Sequence, residues 1–200
     1  MFNERCSIVK RAGLRQEGRV KIRQEEIVEA ALTLVDEQGL GALNMRAIAA
    51  RLGVQASALY WHVPSKTALM RAMAQSFHAR ALAVAGAGAA KDWRRWLIDY
   101  GLALRRALLS HQGSALLCAT ARPAPDTAAA AGDLLAAPLV AQGLSRAHAL
   151  SCLASINALV LGWAVYEQSE AMHDHLAEMI GFDESFALGL EAMVSGFHVD

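Results

Sequence analysis

The chain has 200 residues, of which 54% are hydrophobic and 19% are charged, and its net charge at pH 7 is zero. A chain this apolar must bury much of its surface, part of it in a subunit interface, and its three cysteines form neither an even disulfide set nor a zinc-binding spacing. The N-terminus has no apolar signal core, and the most apolar stretch, residues 150–165, is shorter than the roughly 20 residues of a membrane span, so we expect a cytoplasmic protein with no membrane partner.

Charge is spread unevenly along the chain. Residues 1–66 carry ten basic and seven acidic side chains, a net charge of +3, and residues 67–200 carry the opposite net charge of −3. The steepest part is residues 1–23, with seven basic and two acidic side chains. We therefore expect a basic N-terminal extension over residues 1–20, which either contacts a polyanion such as DNA or remains a solvated tail.

Three short helices are predicted near the start of the chain. Apolar residues at helical spacing indicate a first helix over residues 21–38. Asn44 is a suitable N-cap for a second helix, and Gly53 can end it in a left-handed conformation before a third helix over residues 55–62. Two short helices around a glycine turn are typical of a helix-turn-helix, so we predict a DNA-binding domain over residues 21–66.

The third helix has two dissimilar faces. Leu59 and Val63 share one face, and the opposite face presents small and aromatic residues, Ala56, Ser57, Tyr60 and Trp61. Aromatic residues on a short helix are more often core residues, but Leu59 and Val63 already supply a core face here. We therefore predict that Tyr60 and Trp61 face DNA.

The rest of the chain, residues 67–200, is predicted to be a second, all-helical domain. A fourth helix follows the third directly and would act as a rigid lever between the two domains. The predicted helices of this part cover residues 66–84, 92–110, a short piece up to 120, 126–142, 145–171 and 184–197. The last two are apolar beyond a single stripe, which predicts their burial in a two-fold dimer with Leu190 in the interface.

Six short segments along the chain share a pattern with a known family. They are MRAIAARLGV, LYWHVPSKTALMRAMA, RRALLSHQGS, the Ala121–Pro123 turn, the Leu161–Gly162 pair and FALGLEAMVSGF. Together they resemble the tetracycline-repressor (TetR) family of bacterial transcription regulators over residues 22–198. The resemblance implies an all-α homodimer in which the first three helices read double-stranded, palindromic operator DNA. The other helices would form a ligand-binding and dimerisation domain, where a bound small molecule moves the fourth helix and releases the operator.

The resemblance also assigns DNA contacts. Arg46 matches an arginine that contacts bases, Lys66 matches a lysine that contacts phosphate, and His62 either contacts phosphate or packs. Gln55 and Ser57 can reach base edges in the major groove. The predicted DNA-contacting residues are Asn44, Arg46, Gln55, Ala56, Ser57, Tyr60, Trp61, His62 and Lys66.

The third helix departs from the tetracycline repressors at residues 56–58. These residues are Ala-Ser-Ala here and Gln-Pro-Thr in the tetracycline repressors. Alanine cannot make the amide contacts that glutamine makes to adenine. We therefore expect a different operator sequence.

The ligand pocket that the resemblance implies is also altered. Cys118 stands in place of a magnesium-binding histidine, and Leu82, Tyr100 and Ala121 stand in place of a histidine, an asparagine and a threonine. A thiol is a poor magnesium ligand, and leucine and alanine offer no hydrogen bond. These departures from the family pattern predict an apolar or aromatic inducer, no metal and no cofactor. The predicted ligand-binding residues are Leu82, Tyr100, Cys118, Ala121 and Glu167, the last as the polar anchor.

The cavity itself is expected between the fourth and fifth helices, bordered also by Leu69, Met73, Phe77 and Trp96. Cys118 is either a small hydrophobic side chain or a redox or metal sensor. His173 and His175, on either side of Asp174, either bind a metal or lie in a solvated loop.

Three classes of function fit these features. The first is a ligand-responsive repressor, the second an all-helical small-molecule-binding protein or enzyme without operator binding, and the third a constitutive DNA-binding protein without inducer. No set of nucleophile, base and acid is legible, so we expect no enzymatic activity. Salt-dependent binding to a palindromic DNA separates the first class from the second, and an empty apolar cavity separates it from the third.

Overall fold

A computed structural model describes residues 22–87, 92–121, 124 and 128–198. These residues contain no strand and form α-helices, with one 3-10 turn at Leu40–Ala42. The all-α fold is therefore confirmed, whereas the basic extension over residues 1–20 lies outside the described residues. The helices are α1 Gln24–Gln38, α2 Met45–Arg51, α3 Ala56–Tyr60, α4 Lys66–Ala87, α5 Trp93–Leu109, α6 Ser114–Thr120, α7 Ala128–Val140, α8 Arg146–Gln168, α9 Glu170–Ala177 and α10 Phe182–Ser195.

The first three helices pack as a helix-turn-helix unit. Asn44 caps α2 as predicted, because its Oδ1 accepts a hydrogen bond from the Ala47 N–H at 2.8 Å and its Nδ2 donates to the Ala42 carbonyl at 2.9 Å. Gly53 has a φ of 68°, a left-handed conformation that glycine adopts without a Cβ clash. It turns the chain into α3, which ends at Tyr60, two residues earlier than expected.

Helix α4 leads directly from the helix-turn-helix into the second half of the protein. Ser65 Oγ accepts a hydrogen bond from the Ala68 N–H at 3.0 Å, which caps the helix at its predicted start. The helix has 22 residues and continues to Ala87, three residues beyond its expected end at residue 84. Its inner side chains belong to one hydrophobic core shared with α1 and α5: Leu69, Met73 and Phe77.

The helices α5, α8 and α10 approach one another closely. Gly101 on α5 permits this, because a Cβ there would lie 2.9 Å from Leu190 Cδ2 on α10 and 3.3 Å from Ile156 Cγ2 on α8. Leu190 is fully buried by this packing. The expectation that Leu190 lies in a dimer interface is wrong, because its side chain fills the core of a single subunit.

The long helix expected over residues 145–171 is two helices. α8 ends at Gln168, Ser169 is extended, and α9 begins at Glu170. The Gln168 side chain donates through Nε2 to the His111 carbonyl at 2.8 Å. The end of α8 is thereby tied to the turn after α5.

The two candidate metal-binding histidines lie on α9, rather than in a solvated loop. The ring of His173 stacks on Phe182, with 4.9 Å between centroids, and His175 is exposed. Within the described ranges, no group of three His, Cys, Asp or Glu side chains could hold a metal ion. His173 therefore packs as an aromatic side chain.

The outward face of α8 is less buried than expected. With 23 residues, the helix is long and apolar enough to cross a membrane by length and composition, yet only a third of its most apolar window is buried. Small side chains are exposed along this face: Ser151, Ala154, Ala158 and Gly162. On the neighbouring α10, Leu188 is 70% exposed. We refer to these exposed small and apolar side chains of the two helices together as the α8–α10 face.

Candidate DNA-binding surface and ligand cavity

The helix-turn-helix exposes the residues that the sequence assigned to DNA. Tyr60 is 49% exposed and Trp61 is 89% exposed, whereas Leu59 and Val63 are buried. Arg46, Gln55, Ser57, His62 and Lys66 are exposed as well. The predicted separation of a core face from an outward face on α3 thus agrees with the observed burial.

Two of the nine candidate DNA-contacting residues have no free polar group that could bind DNA. The side chain of Asn44 is engaged at both ends in the cap of α2. Ala56 is half-buried and packs against the hydrophobic core. Both residues shape the surface rather than present a free polar group.

Basic side chains of this unit differ in their availability. Arg51 is held by Glu37 on α1 through two bonds of 2.7 and 2.5 Å. Arg46 and Lys66, in contrast, form no ion pair with any residue in the described part of the chain. These two cations belong to the same unit as the exposed aromatic rings of α3 and its end, and such cations suit contacts with a phosphate backbone.

A cavity of about 720 Å³ lies between α4, α6 and α7. This volume is within the range of small-molecule sites. Its wall is mostly alanine and leucine, with a few polar groups on α4, and includes no carboxylate among the described residues. The lining residues are Arg71, Ala74, Gln75, His78, Ala79, Leu82, Cys118, Ala121, Ala128, Ala130, Ala131, Gly132, Leu134 and Leu135.

Three of the five predicted ligand-binding residues line this cavity: Leu82, Cys118 and Ala121. Burial raises the pKa of the Cys118 thiol to about 12. The thiol is therefore protonated at neutral pH, and a protonated thiol is neither a good nucleophile nor a metal ligand. This favours Cys118 as a small apolar side chain of the wall.

Tyr100 does not line the cavity. Its ring is fully buried and stacks on Trp96, with 5.4 Å between centroids and 6° between planes. Its hydroxyl contacts His78 Nδ1 at 2.9 Å and donates to Asn157 Oδ1 at 3.1 Å. Burial is also the main cause that raises the pKa of Tyr100, so the phenol stays protonated.

Glu167 also lies outside the cavity, because α5 binds it. Arg105 Nε and Nη2 donate to its two carboxylate oxygens at 2.7 and 2.6 Å, and Arg105 Nη1 donates to Asp183 at 2.7 Å. The guanidinium also lies 4.9 Å from the ring centroid of Phe186. The structure thus corrects the expectation of a ligand anchor, since both oxygens of Glu167 are occupied.

The cavity is not where the sequence suggested. α4 and α5 are close-packed, and the side chains expected to border a cavity between them are buried in the core: Leu69, Met73, Phe77 and Trp96. The opposite side of α4 faces α6 and α7 instead. Polar wall residues on that side, Gln75 and His78, were missed, although with Arg71 and Leu82 they recur at helical spacing along α4.

Polar contacts connect the DNA-binding unit with the helices around the cavity. Arg80 on α4 pairs with Glu29 on α1. Asp36 on α1 contacts His111 Nδ1 at 2.7 Å and accepts a hydrogen bond from the Gln112 N–H at 2.9 Å. These contacts join α1 both to α4 and to the turn that precedes α6.

The exposed helix-turn-helix and the helical domain with its cavity define a class of protein. The chain belongs to the bacterial regulatory proteins of the tetR family, which residues 27–73 match, and residues 86–181 match the tetracyclin repressor-like C-terminal domain. Proteins of this family are ligand-responsive, DNA-binding transcriptional repressors that act as dimers.

Individual relatives agree with this assignment. The tetracycline repressor protein class A from transposon 1721 of Escherichia coli is 35% identical over 74% of this chain and 68% of that protein. A variant tetracycline repressor of Acinetobacter baumannii AYE in complex with minocycline has a TM-score of 0.69 and 32% identity, over 88% of this chain and 97% of that one. The class A repressor in complex with 5a,6-anhydrotetracycline and magnesium has a TM-score of 0.65 and 32% identity, over 85% and 94% of the two chains.

Proposed function

We propose that the protein is a cytoplasmic, homodimeric repressor that binds a palindromic operator through α2, α3 and the start of α4. An apolar small molecule in the cavity between α4, α6 and α7 would release the operator. The observation that carries the proposal is the exposure of Tyr60 and Trp61 on a helix whose opposite face is buried. Adjacent exposed apolar side chains that form one patch often mark an interaction surface.

The DNA contacts follow from the chemistry of the exposed groups. Arg46 and Gln55 can bond base edges, and Ser57 can bond either bases or phosphate. Tyr60 and Lys66 suit phosphate contacts, which position the protein without reading sequence. The surface is completed by Trp61 and His62. Asn44 and Ala56 also belong to it and contribute mainly to its shape.

The coupling between cavity and operator would run along α4 and α1. A ligand between α4 and α7 contacts the α4 face that carries Gln75, His78 and Leu82. Movement of α4 shifts α3, which precedes it directly, and acts on α1 through the Arg80–Glu29 pair. We therefore assign DNA binding to residues 21–66 and ligand binding and dimerisation to residues 67–200, with residues 1–20 as a basic extension.

The experiment that tests the proposal is selection of bound fragments from random double-stranded DNA by the full-length protein. The expected product is a palindrome whose binding weakens steeply with salt, because phosphate contacts release counterions. A matched pair of variants locates the surface: Arg46→Ala should weaken binding, whereas Arg95→Ala, at an exposed arginine of α5, should not.

A panel of apolar aromatic molecules, added to the selected complex, then tests ligand response. Release of the operator by a molecule that also binds in the cavity supports the proposal. The absence of salt-dependent binding to any DNA would favour the alternative, an all-helical small-molecule-binding protein or enzyme without operator binding.

A further inference from the structure

A chain of three polar side chains leads from the wall of the cavity into the core. His78 on α4 lines the cavity, and its Nδ1 lies 2.9 Å from the Tyr100 hydroxyl on α5. That hydroxyl lies 3.1 Å from Oδ1 of Asn157 on α8. Each of these residues comes from a different helix, so the arrangement of the helices fixes the position of the imidazole.

The proton on Tyr100 determines which nitrogen of His78 carries hydrogen. A phenol has a single proton, and we assign it to the bond with Asn157 Oδ1, which can only accept. The Tyr100 oxygen can then only accept from His78, so Nδ1 bears the hydrogen and Nε2 keeps its lone pair. Burial lowers the pKa of His78, so the imidazole is neutral at pH 7 and one ring nitrogen remains an acceptor.

Nε2 is the atom of His78 that remains for a molecule in the cavity. Among the described residues, the imidazole makes no hydrogen bond other than the one to Tyr100. The described part of the wall holds no carboxylate, and Gln75 is exposed, so water competes for its amide. Among the described lining residues, His78 is therefore the most sheltered strong acceptor.

We propose that His78 Nε2 accepts a hydrogen bond from the ligand, and that the inducer is therefore a largely apolar molecule with a neutral hydroxyl or N–H donor. This inference rests on the proposed ligand response and specifies its chemistry. Tyr100 and Asn157 are positioning residues, because they act through His78 and touch no ligand.

The test uses three probes of nearly the same shape and the full-length protein. 4-Phenylphenol carries a hydroxyl donor, 4-methoxybiphenyl replaces the donor hydrogen by a methyl group, and 4-acetylbiphenyl carries only an acceptor. Dissociation constants are measured by calorimetry for the wild type and for His78→Phe. The expected result is a preference for the phenol over the ether that is roughly 5- to 100-fold larger in the wild type than in His78→Phe.

Tyr100→Phe provides a second variant, since it retains the ring in the core and removes the group that holds Nδ1–H. Its preference for the phenol should fall and its affinity for the acetyl probe should rise, because the other tautomer becomes accessible. Nitrogen-15 NMR of labelled histidine in the wild type measures the tautomer directly and does not depend on any variant folding. The expected spectrum shows His78 protonated at Nδ1.

Several outcomes would overturn the inference. They are an Nε2–H tautomer, equal phenol preference in the wild type and His78→Phe, a wild-type preference for the acetyl probe, and no binding of any of the three probes. Operator binding is measured separately without probe. Loss of operator binding would overturn the proposed function, while a wrong probe preference with intact operator binding would overturn only the role of His78.

Discussion

At the scale of single residues, Tyr60 offers the sharpest test of the DNA-binding surface. Its ring is half exposed on α3, so Tyr60→Ala opens no cavity in the core. We expect its stability to change by less than about 1 kcal/mol, while its operator affinity falls roughly tenfold. Urea unfolding and fluorescence anisotropy with labelled operator measure the two effects.

The neighbouring Leu59 serves as the control for that variant. Leu59 is fully buried, so Leu59→Ala should cost about 2–5 kcal/mol of stability, the usual range for a core leucine. If Tyr60→Ala destabilised the protein as much as Leu59→Ala, the assignment of the two faces of α3 would be wrong.

The burial of side chains on α3 could be predicted from the sequence, because it depends on local spacing. The partner of a polar residue could not be predicted in this way. Leu59 and Tyr60 are adjacent in sequence, and helical geometry alone places them on different faces. Glu167 is bound by Arg105, 62 residues earlier, and no periodicity reveals such a pair. The polar anchor of the ligand was therefore assigned to Glu167, whose carboxylate is already paired with Arg105.

At the scale of the helices, Arg105 links α5 to α8 and to the start of α10. Both Arg105 and Glu167 are more than nine-tenths buried, whereas Asp183 is exposed and contributes little. Arg105→Ala would leave Glu167 buried without a partner, which costs about 3–5 kcal/mol. The adjacent Arg106 is exposed, so Arg106→Ala should leave the urea midpoint nearly unchanged. Equal midpoints for the two variants would contradict this account.

The contacts of α1 with Arg80 and His111 lead to a second prediction at the scale of the helices. Asp36→Ala removes the acceptor of both the His111 and the Gln112 contacts. We expect operator and ligand to bind separately as before, while the effect of ligand on operator affinity shrinks roughly 3- to 10-fold, part of the usual range of coupling between sites.

Operator anisotropy with and without the selected inducer measures that coupling. Arg23→Ala is the matched control, because it breaks an exposed pair with Glu26 within the start of α1 itself. An unchanged ligand effect in Asp36→Ala would show that α1 does not transmit the signal.

Helix starts were predicted better than helix ends. Asn44, Ser65 and Ser145 each accept a hydrogen bond from a backbone N–H in the first turn of the helix that follows, and such caps are visible in sequence. The end of α8 at Gln168 depends instead on carbonyl groups of another segment. The short helix α9 was missed for that reason.

At the scale of the whole molecule, the α8–α10 face is the surface expected to pair two subunits. Leu188 on α10 is 70% exposed, and the exposed residues of α8 are small, which would allow helices of two subunits to approach closely. Leu188→Glu would bury an unpaired charge in the dimer, so we expect a well-folded monomer at micromolar concentration in sedimentation velocity. Leu190→Ala, in the core, should instead lower stability and leave the assembled state a dimer. A wild-type monomer, or a dimeric Leu188→Glu, would contradict the interface.

The order of the two domains could be predicted from the sequence. The position of the cavity could not. The DNA-binding unit is local, since its caps and faces lie within about 45 residues. The cavity is bounded by α4 and α7, whose facing residues are some 50 positions apart, such as Leu82 and Leu135. Alanine-rich α7 has no marked apolar stripe that would indicate its partner.

The residues that line the cavity also indicate a small molecule to which the protein should not respond. We expect no response to magnesium-tetracycline, although the class A repressor binds 5a,6-anhydrotetracycline together with magnesium. Cys118 holds a protonated thiol at neutral pH, and a hard magnesium ion has little affinity for sulfur. Leu82 and Ala121 leave polar groups of the drug unmatched at about 1–3 kcal/mol each, and two or three such losses remove roughly three decades of affinity.

Fluorescence of the four tryptophans and anisotropy of labelled operator measure this prediction in parallel, with EDTA as the control for the metal. The expected titration shows no magnesium-dependent quenching and no release of operator. A variant with Cys118→His, which restores an imidazole at the wall, should gain at most weak binding, because Leu82 and Ala121 still lack the remaining hydrogen bonds. Tight, magnesium-dependent binding by the wild type with release of operator would refute the prediction, since it would require a metal site that the described wall residues do not provide.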